Sequence, residues 1–292
     1  MAKGQGSERI LYVTDLAYPA RGRRYCDEDI RLTARLREEF PLALCHPRDA
    51  EALMGAYDLV VVRNSGPVQH YQEAYDAFRA RARAEGVRVY NPLTGKGDMA
   101  GKGYLPELYA AGYPVIPTVD RAADLGRLPA SAEYVVKPLL GADSLGLEFV
   151  GAEALAGVEF GGAGAGGAGA GGAGAGGVLV QPRVRFRYEV SFYFVDRDFQ
   201  YALYAPRPER RWELERYEPG RGDLEFARSF VDWNGLAYGI QRVDACRDED
   251  GRLLLVELED LNPYLSLDLV DEETRERFSA AFAESLRAAL GR

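Results

Sequence analysis

The chain has 292 residues, a formal charge of −9, three cysteines and two histidines. The acidic balance argues against a nucleic-acid partner, which needs a basic face, and no apolar run reaches membrane-spanning length. Two histidines leave no basis for a histidine metal site or triad, and three scattered cysteines suggest neither a disulfide framework nor a zinc site, so a reducing cytoplasm fits.

The first residues, 1–7, read as a polar tail rather than a leader. An apolar strand is predicted over 10–15, followed by an arginine- and tyrosine-rich loop over 18–25. Asp27 can cap a helix whose apolar face is Ile30, Ala34, Leu36 and Phe40. A strand over 42–45 and a short helix over 49–56 come next. The run over 58–63 is continuously apolar, as a strand buried on both faces would be. A long helix then places Tyr71, Ala74, Tyr75, Phe78 and Ala82 on one side and stops at Gly86, before a strand over 87–90. Strands alternating with helices predict a parallel sheet for 1–92. Ligands of such sheets lie at the carboxyl ends of the strands. That rim gathers Asp15, Arg24, Arg63 and Asn64, a cup for a small amino-acid-like zwitterion with guanidinium forks for its carboxylate. The alternative is a solvated loop whose arginines pair with nearby acids.

Residues 95–103 are rich in glycine and lysine but match no phosphate loop. Gly97 and Gly101 enclose one residue fewer than a P-loop needs, and Gly103, not a hydroxyl residue, follows Lys102. A loose dinucleotide fingerprint at Gly95, Gly97 and Ala100 does not follow a first strand directly, as that motif requires. A helix is predicted over 102–111, a strand over 115–118, and a turn and helix over 120–128. At 134–150 a strand delivers Lys137 to a glycine-bounded loop, Gly141 to Gly146, and a second strand leaves. Free amides in such a loop can wrap phosphates, and the ammonium can neutralise one. The Gly/Ala repeat over 161–177 can bury nothing and carries no chemistry.

An apolar strand over 178–184 precedes a long aromatic hairpin over 190–205, then a basic loop holding Arg207, Arg210, Arg211 and Trp212, and a helix over 224–233. A second hairpin turns at Asp250-Gly251. Alternation along its return strand puts Leu254, Val256 and Leu258 on one face and Leu255, Glu257 and Glu259 on the other. With Asp244 on the partner strand, three acids converge, a hard-oxygen set suited to Mg²⁺. An amphipathic helix over 271–290 ends the chain.

The order of these parts resembles the ATP-grasp superfamily. A first lysine opens a helix, a V-V-K-P strand leads to a G-x-x-S-x-G loop, and an apolar strand precedes Y-E-V-S. An R-V-D to E-x-E hairpin comes last, its Asp244 and Glu257 thirteen residues apart. The resemblance implies an α/β protein with α+β lobes: an N-terminal parallel-sheet domain (1–92), a lid lobe (93–177) and a C-terminal lobe with the metal site (178–292). It implies ATP and Mg²⁺ as cofactors. Lys102 and Lys137 then hold phosphates, and Gly141, Ser144 and Gly146 close over the last one. Gln181 and Val184 border adenine, Glu189 takes the ribose, and Arg210 or Arg211 reaches the terminal phosphate. Asp244, Glu257 and Glu259 or Asn262 hold the metal. Glu259 departs from the family, which usually has Asn there. Arg242 and Lys137 are the catalytic residues it implies, Arg242 by stabilising an oxyanion.

Residues 13–25, 188–196 and 241–247 look closest to the branch of cyclo-ligases that form D-cycloserine from O-ureido-D-serine. An intermolecular amino-acid or peptide ligase and a non-catalytic nucleotide-binding scaffold remain open, as does a homodimer.

Overall fold

The computed structural model describes residues 8–17, 19–20, 23–63, 68–140, 146–161 and 177–291. The N-terminal part runs β1 (Ile10–Val13), β2 (Pro19–Ala20), β3 (Arg23–Arg24), α1 (Cys26–Leu36), β4 (Leu42–Cys45), α2 (Ala50–Leu53), β5 (Leu59–Val62), α3 (Gln72–Glu85) and β6 (Val89–Tyr90). Four of these strands form a parallel sheet in the order β4-β1-β5-β6, with Ile10 opposite both Leu42 and Leu59. Both faces are covered, which explains the unbroken apolar runs. Leu11, Val13, Val60 and Val62 pack on Tyr75 and Phe78 of α3, while Ile10, Tyr12, Leu59 and Val61 belong to a second core. Gly86 ends α3 at φ 66°, a conformation glycine adopts without strain.

Helix α1 departs from its expected orientation. It starts at Cys26 with Asp27 in the first turn and no side-chain cap. Ile30 and Ala34 are exposed, whereas Glu28, Asp29, Leu32 and Thr33 are buried. The helix is rotated because its two acids are bonded inside the protein: Tyr12 and Thr14 donate to Asp29, and the Leu265 and Leu267 amides donate to Glu28.

The middle of the chain holds α4 (Tyr104–Ala110), β7 (Glu133–Pro138), β8 (Glu148–Gly151) and β9 (Val178–Pro182). The strands form a small antiparallel sheet, β8-β7-β9, over a core of Val119, Tyr134, Val136, Val178 and Val180. Thus β9, grouped with the last lobe in the sequence division, pairs with β7, and α4 packs against the core of the last sheet. Residues 115–118 form no strand. Val115 bridges Leu255 and Val119 bridges Val180, so the chain changes sheets there, across Pro117, which has no N–H to give to a ladder. Ala122–Arg127 is a 3₁₀ rather than an α-helix.

The rest comprises β10 (Phe186–Val195), β11 (Asp198–Ala205), β12 (Glu215–Tyr217), α5 (Arg221–Asn234), β13 (Ile240–Asp248), β14 (Leu253–Glu259) and α6 (Glu272–Leu290). Its antiparallel sheet has the order β12-β11-β10-β13-β14. One face packs Phe192, Phe194, Val243, Leu255 and Leu258 on Phe230 of α5. On the other, Tyr193, Val195, Tyr201 and Leu203 meet Phe278 and Phe282 of α6 in the core shared with the N-terminal sheet. Asp271 caps α6 by accepting from the Thr274 amide.

The strict alternation expected for β14 does not hold. Asp244 opposes Glu257 but Ala245 opposes Leu255, so a bulge leaves Val256 as the extra residue. That residue turns Leu255 into the core with Leu258, away from Glu257. No described helix is long and apolar enough to cross a membrane.

Candidate functional site

The face of the last sheet away from α5 changes character along its length. At one end it is aromatic and packs on α6. At the other it carries Glu189 and Ser191 of β10, Arg242 and Asp244 of β13, and Glu257 and Glu259 of β14. Register sets the neighbours: Ser191 opposes Asp244, which opposes Glu257, and Arg242 opposes Glu259. The Arg242 guanidinium donates from Nε to Asp244 at 2.9 Å, from Nη2 to Asp244 at 2.8 Å and to Glu259 at 2.5 Å, and from Nη1 to the Tyr264 carbonyl at 2.8 Å. Ser191 donates to Asp244 at 2.6 Å. Burial pushes the Glu259 carboxyl well up; Arg242 pulls it down, and Asp244 pushes it up again.

Cations arrive from the middle of the chain. The Lys102 ammonium, at 4% exposure, rests directly on the Glu257 carboxylate and lies 3.8 Å from Asp98. Lys137, on β7, forms no ion pair among the described residues, and Glu257, Lys102 and Asp98 are the charges that act on it. Burial pulls its ammonium down to about 8 and Glu257 only partly restores it. Burial raises the Asp98 carboxyl to about 7, against the pull of Lys102. For Glu257, burial is outweighed by Lys102 and Lys137, and its carboxyl lies below the ordinary value.

Gly95 and Gly97 are explained by packing rather than by phosphate. The buried Asp260 carboxylate accepts from the amides of Gly97 at 3.0 Å and Met99 at 2.8 Å, and from Asn234 at 3.0 Å. The loop therefore lies tight against the end of β14. A Cβ on Gly97 would come within 2.5 Å of the Leu258 carbonyl. This clamp presents Asp98 and Lys102 to the hairpin.

Oxygens of Asp98, Glu257 and Glu259 lie within 4.8 Å of one another. An all-carboxylate set at this spacing suits a hard divalent cation, so the residues present fit Mg²⁺. Asp244 is directed at Arg242 and Ser191, while Asn262 is half-buried just past the strand. Asp98 was not among the sequence-predicted ligands. The local signs were Lys102, four residues on, and Tyr104, whose hydroxyl bonds to it; its acid neighbours Glu257 and Glu259 belong to the last hairpin.

No protein-family model and no curated protein matches the sequence. Solved structures do match the fold over nearly the whole chain. D-cycloserine synthetase is 22% identical with a TM-score of 0.69, covering 95% of this chain and 99% of its own. D-alanine–D-alanine ligase from Bacillus anthracis, complexed with ATP, is 11% identical with a TM-score of 0.62, covering 98% and 96%. A RiPP-associated ATP-grasp ligase from Chryseobacterium gregarium, in complex with ADP and a leader and core peptide, is 12% identical with a TM-score of 0.61, covering 96% and 97%. The chain has the ATP-grasp fold.

The remaining sequence-selected residues are placed as follows. Gln181 is buried and donates to Thr118 at 2.7 Å, so its side chain braces β9 from behind. The amide of Val184, in the link from β9 to β10, makes no backbone hydrogen bond among the described residues. Glu189 accepts from Arg211 at 2.6 Å, and burial raises its carboxyl. Arg210 instead pairs with Glu213 at 3.1 Å on the surface. Gly146, at φ 73°, lies where a Cβ would come within 2.9 Å of Pro138. Gly141, Ser144 and Asn64 lie outside the described residues.

The arginines chosen for a substrate cup are placed differently. Arg63 is 5% exposed and fully engaged: with Asp29 at 3.2 Å, Glu28 at 3.3 Å and the Pro263 carbonyl at 2.7 Å. It clasps α1 to the segment after β14. Arg24 is exposed and pairs with Asp27 at 2.6 Å, at the edge of a cleft of about 440 Å³ between α1, Tyr264 and α6.

Proposed function

We propose that this protein is an ATP-dependent, ADP-forming ligase that joins a carboxylate to a nitrogen through an acyl phosphate. The observation that carries the proposal is the Lys102 ammonium on the Glu257 carboxylate of the last hairpin, with Lys137 feeling the same carboxylate, in a chain of the ATP-grasp fold. Amide formation from a carboxylate needs a better leaving group than oxide. Transfer of the γ-phosphoryl group to the carboxylate supplies one, and phosphate departs when the nitrogen attacks.

Catalysis here is positioning and charge neutralisation. Lys102 and Lys137 neutralise the α- and β-phosphates, and Glu189 takes the ribose hydroxyls once Arg211 yields it. Asp244, Glu257 and Glu259 or Asn262 would hold Mg²⁺, which would supply positive charge for the phosphate oxygens. Arg242 then stabilises the oxyanion of the tetrahedral intermediate.

For substrate, the reading is O-ureido-D-serine, cyclised by its own side-chain nitrogen to the five-membered ring of D-cycloserine with loss of the carbamoyl group. Support comes from the stretches 13–25, 188–196 and 241–247 and from the likeness to D-cycloserine synthetase. The test is a phosphate-release screen over amino acids, O-ureido-D-serine included, with Mg·ATP. Stimulation by that compound alone is expected. A requirement for two substrates would indicate an intermolecular ligase. Nucleotide binding without stimulated turnover by any of them would overturn the ligase reading.

A further inference from the structure

Asp98 is an acid of the cluster that does not come from the hairpin, and its placement is firmly determined. The amides on either side of it, Gly97 and Met99, both donate to Asp260. Its Oδ1 accepts from the Tyr104 hydroxyl at 3.1 Å. That hydroxyl oxygen in turn accepts from the Leu258 amide at 2.6 Å, midway between Glu257 and Glu259. Asp98 is therefore tied to β14 although it belongs to a separate loop. Its Oδ2 lies 3.8 Å from the Lys102 ammonium.

Lys102 has Glu257 and Asp98 as its anionic partners. Only Glu257 is in direct contact, and Glu257 is also a residue that a divalent cation would engage. A cation and an ammonium sharing one carboxylate repel each other strongly in a partly buried site. Unless a second anion holds the ammonium, loading the cation drives Lys102 away from the phosphates it must meet.

We propose that Asp98 is a positioning residue for Lys102: it retains the ammonium when Glu257 turns to the divalent cation, and so couples cation loading to nucleotide binding. This rests on the nucleotide-ligase reading above. It differs from a ligand role because Asp98 acts through Lys102.

The test is calorimetry of ADP binding with and without Mg²⁺. It uses the full chain, Asp98→Asn, Lys102→Met and the double variant, each first checked for an unchanged unfolding midpoint. Asp98→Asn should leave metal-free ADP affinity within about twofold of the parent and weaken Mg·ADP binding about tenfold, within the usual range of coupling between sites. Asp98→Glu, which restores the charge, should recover most of that loss. In the Lys102→Met background Asp98→Asn should have no further effect. Equal losses with and without Mg²⁺, or an undiminished loss in the Lys102→Met background, would overturn the proposal. Should Asp98→Asn not fold, Asp98→Ser removes the same charge and serves in its place. Failure of the parent protein to bind Mg·ADP at all would instead sink the nucleotide reading on which the proposal stands.

Discussion

The Lys102 ammonium rests on the Glu257 carboxylate, joining the loop before α4 to the last strand of the final sheet. The contact sets a cation from the loop against an anion of the final sheet. Lys102 is nearly inaccessible, so its charge is held by carboxylates rather than by water.

Glu257→Gln preserves shape and removes the shared anion. Turnover in the phosphate-release assay should fall by about a hundredfold or more, the scale of losing one charge-stabilising group. Retained activity would count against a cation at this hairpin.

Lys137 predicts a pH dependence of binding. Its ammonium, not its amine, attracts phosphate, and burial holds it at about 8. As the pH falls through that value the free protein becomes protonated and ADP affinity should rise. Above it, affinity should drop about tenfold per pH unit, because binding then takes up one proton. Calorimetry between about pH 7 and pH 10 checks the sign. Lys137→Met should be weak throughout and flat across that range.

Arg63→Met leaves Glu28 and Asp29 buried without their guanidinium. The expected cost is about 3–5 kcal/mol in denaturant unfolding, typical of breaking one side of a buried ion pair. Adding Glu28→Gln should recover part of it, because the two residues share one network. If Arg63 served chiefly to bind substrate, activity would fall with the unfolding midpoint unmoved.

The glycines at 97 and 103 should behave differently. A Cβ at Gly97 meets backbone at 2.5 Å, whereas one at Gly103 meets nothing within 4 Å. Gly97→Ala should destabilise by about 1–3 kcal/mol and Gly103→Ala by about 0.5 kcal/mol or less. Thermal or urea unfolding measures both. Equal sensitivity would fit a phosphate-wrapping loop better than packing against Asp260.

Much of the fold was legible because its signals are local. The apolar runs containing Leu11 and Val60, the stop at Gly86 and the Asp250-Gly251 turn each reflect short-range sterics or burial, and each element forms where expected. The helix over 26–36 was legible but its rotation was not. Its buried face is decided by Arg63 and by the Leu265 and Leu267 amides, far away in sequence. The orientation of Leu255 was likewise hidden, because a bulge is a property of two paired strands and not of one.

By itself, the order of residues determined the type of most elements, the parallel first sheet and the acidic hairpin, since periodicity and turn chemistry act over a few positions. Only tertiary structure decided which charges meet. It joined Asp98 to the hairpin acids, gave Arg63 to a buried clasp, and brought Arg211 rather than Arg210 to Glu189. Coulomb forces depend on distance in space, and a folded chain sets that distance independently of separation along the sequence.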